Sequence, residues 1–368
     1  MMFKRRDCIR GVAIALLGSA FAPAAKLFAN DTKSSVLTRI AFGSCAMQWK
    51  PQPIWEAILA SEPDLFLFLG DAIYGDFDGE RRFEPTRESL QGDWNKLAAQ
   101  PGFQALRERV PVLATWDNHD YGHHNAGTEY AQKEMTRELF LDFFAVPEDS
   151  IRRIRDGIYD AAIFGPPGSR VQVILLDNRW NRDALNEDTR SDEARTALGL
   201  SGSMGHAPNA DPAASLLGEQ QWRWLEAELR KPAEVRLICS GTQVINDAKG
   251  MQEWGNFPGE RERLFRLIES TAAKGVVLLS GNVHYSELSV IDDRAYPLYD
   301  FTSSGMTHNN RAYAQFANPY RVAGPYAEPH FSLVEIDRAE LDTQLKLQTI
   351  GKNGRVAFEY TLPLSRLG

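Results

Sequence analysis

Residues 64–74 read DLFLFLGDAIY. Five consecutive apolar residues, too few for a typical helix, are bounded by Asp64 on one side and Gly70-Asp71 on the other. A short continuous apolar run of this kind is the pattern of a strand buried on both faces, and buried strands belong to sheets covered on each side. The pattern recurs at 36–42, 110–115, 171–176, 235–239 and 276–279. Between these runs, residues 54–60, 94–108, 133–144, 219–229 and 260–273 place apolar residues at helical spacing, with Pro53 near one helix start and Pro147 beyond one helix end. Strands alternating with helices predict an α/β fold of layered sheets. The tail differs. Residues 331–336, 345–349 and 355–362 alternate apolar and polar positions as antiparallel strands do, and are expected to complete a second sheet of the same domain.

Each apolar run ends in residues able to do chemistry. In chain order these are Gly-Ser-Cys at 43–45, Gly-Asp-Ala-Ile-Tyr at 70–74, Trp-Asp-Asn-His-Asp at 116–120, Asp-Asn-Arg at 177–179, Ser-Gly-Thr-Gln at 240–243 and Ser-Gly-Asn-Val-His at 280–284. Ligands of open α/β sheets bind beyond the carboxyl ends of strands, so six such clusters can meet in one cleft. Their donors are mixed. Cys45 offers a thiolate, Asp71 a carboxylate able to bridge two cations, Tyr74 a hard phenolate suited to a ferric ion, Asn118 an amide oxygen and His284 an imidazole. Mixed O, N and S donors suit a dinuclear centre with at least one transition metal. Such centres polarise phosphoryl groups and generate a hydroxide nucleophile near neutral pH.

Charge and composition narrow the options. The 368 residues carry a net charge of −8, which argues against nucleic-acid binding by bulk electrostatics and would repel a phosphate ester unless cations were concentrated locally. Three cysteines cannot build a disulfide scaffold. Cys239 reads as core, and a Cys45–Cys239 disulfide is an open alternative. The first 29 residues read as an export signal. Lys4, Arg5, Arg6 and Arg10 form a basic head, and an Ala-rich apolar stretch from 11 to 25 comes next, too short for a secure membrane span, so no stable membrane insertion is expected. Arg5-Arg6, followed by Asp7-Cys8-Ile9-Arg10, resembles a twin-arginine signal. The expectation is export by the twin-arginine machinery to the periplasm or medium, with residues 36–368 as one catalytic domain.

Taken in order, GSC, GDAIY, WDNHD, SGTQ and SGNVH resemble the motifs of PhoD-like alkaline phosphatases, a branch of the calcineurin-like metallophosphoesterases. The resemblance implies a four-layer α/β/β/α sandwich with two mixed sheets, a dinuclear centre of Fe(3+) and Ca(2+) with Zn, Mn or Mg as alternatives, and hydrolysis of small-molecule phosphate esters by metal-bound hydroxide. By matched position, Cys45, Asp71, Tyr74 and His284 become ligands, Asp71 also serving catalysis. Asn118 becomes a ligand of the second cation. His119 binds substrate and stabilises or protonates the leaving oxygen. Two positions depart from the family pattern: Asn118 and Asn282 stand where relatives carry Asp, which removes negative charge from the second position and makes Asn282 the more doubtful ligand. A phosphodiesterase or phospholipase-type activity on the same centre, and a non-catalytic binding protein on this scaffold, are the alternatives. Arg179 is open between a phosphate contact and a structural salt bridge. Gln243 is open between the site and a loop. Asp117 and Asp120 are expected to orient His119 or cap a turn. His123, His124, His206, His308 and His330 are expected at the surface or in loops.

Overall fold

The computed structural model describes residues 35–197, 205–339 and 341–368; the expected export signal lies outside them. The strands are β1 (Arg39–Gly43), β2 (Leu65–Leu69), β3 (Val112–Thr115), β4 (Asp160–Phe164), β5 (Val171–Leu175), a two-residue ribbon β6 (Asn186–Glu187) with β7 (His206–Ala207), β8 (Val235–Ser240), β9 (Val276–Ser280), β10 (Ser286–Ile291), β11 (Leu298–Ser303), β12 (Arg321–Tyr326), β13 (His330–Asp337), β14 (Gln344–Gly351) and β15 (Val356–Pro363). One sheet runs β15-β14-β13-β1-β2-β3 and the other β12-β10-β11-β9-β8-β5-β4. β1, β2 and β3 are parallel, as are β5, β8, β9 and β11; the outer strands pair antiparallel, so both sheets are mixed.

The period of two along each strand produces the layers. Leu65, Leu67 and Leu69 of β2 face inward with Ile40 and Phe42 of β1, and meet Val173, Leu237, Val277, Leu279 and Phe301 of the second sheet. The alternate residues Ala41, Phe66 and Phe68 face outward and pack on Trp55, Trp94, Phe103, Leu106 and Phe140. These lie on helices Ile54–Ala60, Arg87–Ala98, Pro101–Arg109 and Lys133–Phe143. On the far side Ile174, Ile238 and Leu278 pack against Trp222, Leu225, Leu264 and Phe265 of helices Glu219–Leu229 and Pro258–Ser270. The result is α/β/β/α.

Two expectations need correction. The tail strands, expected to complete a second sheet, complete the sheet of β1 to β3: β13 pairs antiparallel with β1, and β14 and β15 extend it. Their alternation reported antiparallel pairing correctly but carried no information about which open edge they would take. The stretch 94–108 is two helices, because Pro101 lacks an N–H to continue the first and instead begins the second.

The carboxyl ends of the two sheets are stitched together. Gly305 and Met306 donate backbone hydrogen bonds to the Ser44 carbonyl at 3.1 and 3.2 Å, and the Ser44 hydroxyl donates to the Ser303 carbonyl at 3.1 Å. Cys45 and Ala46 donate to the carbonyls of Gly70 and Asp71 at 3.3 and 2.8 Å. Such close approach leaves no room for side chains at the motif glycines. A Cβ at Gly70, where φ is +91°, would meet Asp117 Cβ at 2.5 Å; one at Gly281 would meet the Leu69 carbonyl and Ser44 Oγ at 2.7 Å each.

Gly168 shares the positive φ of Gly70, +90°, but has open space around it. Gly168→Ala is therefore expected to cost about 1 kcal/mol for backbone strain alone, and Gly70→Ala at least about 2 kcal/mol more from overpacking, measured by urea unfolding. Equal costs at the two positions would show that the approach at Gly70 is not tight.

Candidate metal centre

Three chain segments deliver these side chains, and each does so on unusual backbone. Cys45 (φ 63°), Asp71 (φ 52°), Asn282 (φ 73°) and His284 (φ 62°) all lie in the left-handed region. That conformation costs a non-glycine residue on the order of 1 kcal/mol or more, and it collects where the surrounding structure over-determines it. Here it turns each strand end sharply enough to aim the side chain back across the sheet ends.

The ligand atoms of Cys45, Asp71 and His284 lie within 4.8 Å of one another. Cys45 Sγ is 3.3 Å from Asp71 Oδ2 and 3.1 Å from Ser304 Oγ. The Tyr74 hydroxyl is 3.5 Å from His284 Nε2 and 2.9 Å from His308 Nε2. Cys45, Asp71 and Tyr74 are each at most 2% exposed.

Burial and crowding push every one of these groups towards its uncharged form. The Cys45 thiol is raised well above its usual value by burial and then by the Asp71 carboxylate. Asp71 rises to about 6 through burial, an effect that His119 opposes and Asp117 adds to. The Tyr74 phenol is raised by burial and by Cys45 and Asp71. His284 falls to about 3, by burial and then by the charges of His119 and Lys50. Three acids and a neutral imidazole converging on one buried point would be a poor way to build a core. They fit a cation, which reverses each penalty by stabilising the thiolate, carboxylate and phenolate together.

Around this cluster a rigid frame forms. Asp120 accepts from the backbone N–H groups of Asp71, of Ile73 at 3.0 Å and of Asp117 at 3.0 Å, and so ties the 70–74 loop to the four-residue helix Asn118–Tyr121. Asp71 Oδ1 in turn accepts from the His119 backbone N–H at 3.1 Å. Asp117 is paired with the buried Arg179 through its Nε at 2.8 Å and its terminal nitrogen, while Arg179 also reaches Gln252. The structural salt bridge is thus where Arg179 goes. Gln243 donates to Glu287 Oε1 and Thr302 Oγ1, both at 2.8 Å, in a buried network. Cys45 and Cys239 are both buried and free, so no disulfide joins them.

His119 stands beside the cluster. Its ring stacks on Tyr74 with centroids 4.0 Å apart, and its Nδ1 is 2.5 Å from Asp76 Oδ1. Burial favours the neutral ring, but the carboxylates of Asp71 and Asp76 outweigh it and His119 is raised. On the other flank the Asn118 amide nitrogen faces His124 Nδ1 at 3.3 Å, and the Asn282 amide nitrogen donates to the Gln252 carbonyl at 3.0 Å. Anchoring the nitrogens leaves the two oxygens as the donor atoms.

Two residues escaped the sequence reading. Asp76 lies two residues past the GDAIY motif. His308 was expected at the surface but touches Tyr74 and packs against His284. It comes after β11 at the same sheet edge, so the strand-end rule would have found it had 298–303 been read as a strand; Asp300 and Thr302 interrupt the apolar run that signals one. His330 is also fully buried, because it begins β13 inside the sheet.

A two-sheet α/β sandwich that gathers such donors at its carboxyl edge defines a metallophosphatase-type fold. A family model described as PhoD-like phosphatase matches residues 40–309, and the chain belongs to that family. The chain is 26% identical over 259 residues to alkaline phosphatase D of Bacillus subtilis (strain 168), covering 61% of this chain and 41% of that protein. It therefore spans about two fifths of that relative's length. Among solved structures, the structure of PhoD superposes with a TM-score of 0.64 at 18% identity, covering 90% of this chain and 69% of the other. GAP50, described as the anchor in the inner membrane complex of Plasmodium, superposes with a TM-score of 0.53 at 10% identity, covering 89% of each. Both structures show likeness of fold. Among the described residues no helix is long and apolar enough to cross a membrane.

Because Cys45 and Tyr74 are held as thiol and phenol and would have to lose protons to hold a cation, uptake of metal by the metal-free protein at pH 7 is expected to acidify a weakly buffered solution, and apparent affinity to rise with pH. Calorimetry in buffers of different ionisation enthalpy measures the protons released. Cys45→Ser should release fewer; release unchanged from the parent protein would remove Cys45 from the ligand set.

Proposed function

We propose that this chain is an exported, metal-dependent phosphoric ester hydrolase, carried by the twin-arginine route to the periplasm or medium and acting on small-molecule phosphate esters. The observation that carries the reading is the convergence of Cys45, Asp71 and His284 ligand atoms within 4.8 Å, with the Tyr74 hydroxyl beside them. Family membership supports it. Cys45, Asp71, Tyr74 and His284 would hold the first ion, and thiolate, phenolate and imidazole suit Fe(3+). Asn118 and Asn282 would offer oxygens to a second ion, for which Ca(2+) is the first choice and Zn, Mn or Mg the alternatives. Ions so held supply Lewis acidity towards the phosphoryl group and an activated water for in-line attack.

The protein's own side chains supply the rest. Asp71, oriented by the His119 backbone N–H, would offer its carboxylate to the ions. His119 holds its Nδ1–H on Asp76, so Nε2 is the atom that donates a proton to the departing oxygen. Stacking on Tyr74 fixes the plane of the ring in which that proton travels. Since the chain is acidic overall, at −8, its surface would not draw a phosphate ester, and that attraction would fall to the bound cations.

The test is to strip metal from the purified protein, assay aryl phosphate mono- and diesters, and restore iron or calcium. Recovered hydrolysis is expected, and failure with every metal offered would count against the reading. The ratio of the two activities decides between a monoesterase and the diesterase or phospholipase-type alternative. A natively exported protein that holds no metal would favour the non-catalytic binding role. Asp71→Ala or His284→Ala should lower kcat/KM by about 10³-fold or more, consistent with losing a group that acts on the transition state. Cys239→Ala, in the apolar layer between the sheets, should leave it within about twofold.

Asp76→Asn gives a separate check on His119. The Asp76 carboxylate helps to hold the imidazolium above its usual range. Without it the general acid deprotonates at lower pH, so the alkaline limb of the kcat profile should move to lower pH. A limb that stays in place would mean that a group other than His119 sets it.

A further inference from the structure

The loop after β11 carries a histidine to which the sequence reading gives no task. His308 Nε2 is 2.9 Å from the Tyr74 hydroxyl, its ring lies edge-on to His284 with centroids 4.4 Å apart, and its Nδ1 is 3.0 Å from Thr307 Oγ1.

The hydrogen bonds around Thr307 favour one tautomer of the ring. A hydroxyl has one hydrogen to give and two lone pairs to receive. The Thr307 hydroxyl donates to the Cys45 carbonyl at 3.2 Å and accepts from the Met47 backbone N–H at 2.9 Å. What it has left for His308 is a lone pair, so Nδ1 carries the hydrogen and donates it. In the neutral imidazole only one ring nitrogen carries a hydrogen, and the other carries a lone pair. The Nε2 lone pair therefore points at the Tyr74 oxygen.

With Tyr74 as a phenol this is an ordinary O–H···N hydrogen bond. With Tyr74 as the phenolate that ligates metal, two lone pairs would oppose each other at 2.9 Å, an arrangement that is stable only with a cation between them. That separation is also close to the edge, about 3 Å, spanned by two cis donors each about 2.1 Å from one ion. A ring held by an oxygen through its other N–H is how ligating histidines are usually oriented.

We infer that His308 is a further nitrogen ligand of the centre, held in the ligating tautomer by Thr307. The inference rests on the metal-centre reading above. The first position then carries two imidazoles beside a thiolate, a carboxylate and a phenolate, a donor set that selects a transition metal over calcium or magnesium.

The test measures metal retention, not turnover. The holoprotein, His308→Ala, His308→Gln and Thr307→Val are dialysed against graded concentrations of a competing chelator. Retained metal is then read by elemental analysis, with far-UV circular dichroism to confirm the fold. Both His308 variants are expected to lose metal at roughly tenfold lower chelator or less, with Thr307→Val intermediate. Free imidazole added to His308→Ala should restore retention by filling the vacated ligand position. If the parent holds metal and the His308 variants retain it equally well, His308 is no ligand and the centre stands without it. Loss in His308→Ala that imidazole does not restore, with Thr307→Val matching the parent, makes His308 a packing residue and likewise overturns the inference. A parent protein that holds no metal overturns both this inference and the reading beneath it.

Discussion

The central constraint on this molecule is electrostatic: a thiol, a carboxyl and a phenol are pressed together where water is largely excluded. Each is driven towards its neutral form by burial and by the others. Groups of this kind are ordinarily kept apart in folded proteins, since their mutual repulsion and lost hydration work against folding. Their juxtaposition is held by the stitched ends of two sheets and by left-handed backbone at Cys45, Asp71 and His284. Both features store strain at one edge of a molecule whose three core layers are otherwise regularly packed.

The frame around the cluster shows how that strain is contained. Asp120 gathers three backbone N–H groups, and Asp117 is locked by Arg179, with both side chains at most 1% exposed. A buried ion pair is a weak source of stability, because desolvation offsets most of the attraction. Its value here is geometric: it anchors the strand end from which Asn118 and His119 project. The same arrangement explains the bulk of the motif outside its donors. Gly70 and Gly281 are there because neighbouring atoms occupy the space a Cβ would need.

Two of the histidines beside Tyr74, His119 and His308, divide by their partners. His119 leans on a carboxylate, Asp76, and is biased towards carrying charge. His308 leans on a hydroxyl whose own proton is committed elsewhere, and is biased towards a free lone pair. In the proposed roles, one ring would give a proton and the other would bind a cation. Their contacts with Tyr74 differ as well: His119 stacks on its ring, and His308 meets its hydroxyl.

The sequence by itself determined the strand cores and the donors. Runs such as LFLFL are apolar on both faces wherever they occur, because both faces of a sandwich strand must be buried, and residues that immediately succeed such runs land at the sheet edge by continuity of the chain. Cys45, Asp71, Tyr74, Asn118, His119 and His284 were legible for that reason, as were helices whose apolar spacing is local. Only the tertiary structure decided which edge β13 to β15 would take, that Arg179 would spend its charge on Asp117, and that His308 would arrive beside Tyr74 from 234 residues away. Those outcomes depend on partners distant in the chain, and a local pattern of polarity cannot encode the identity of a partner it has yet to meet.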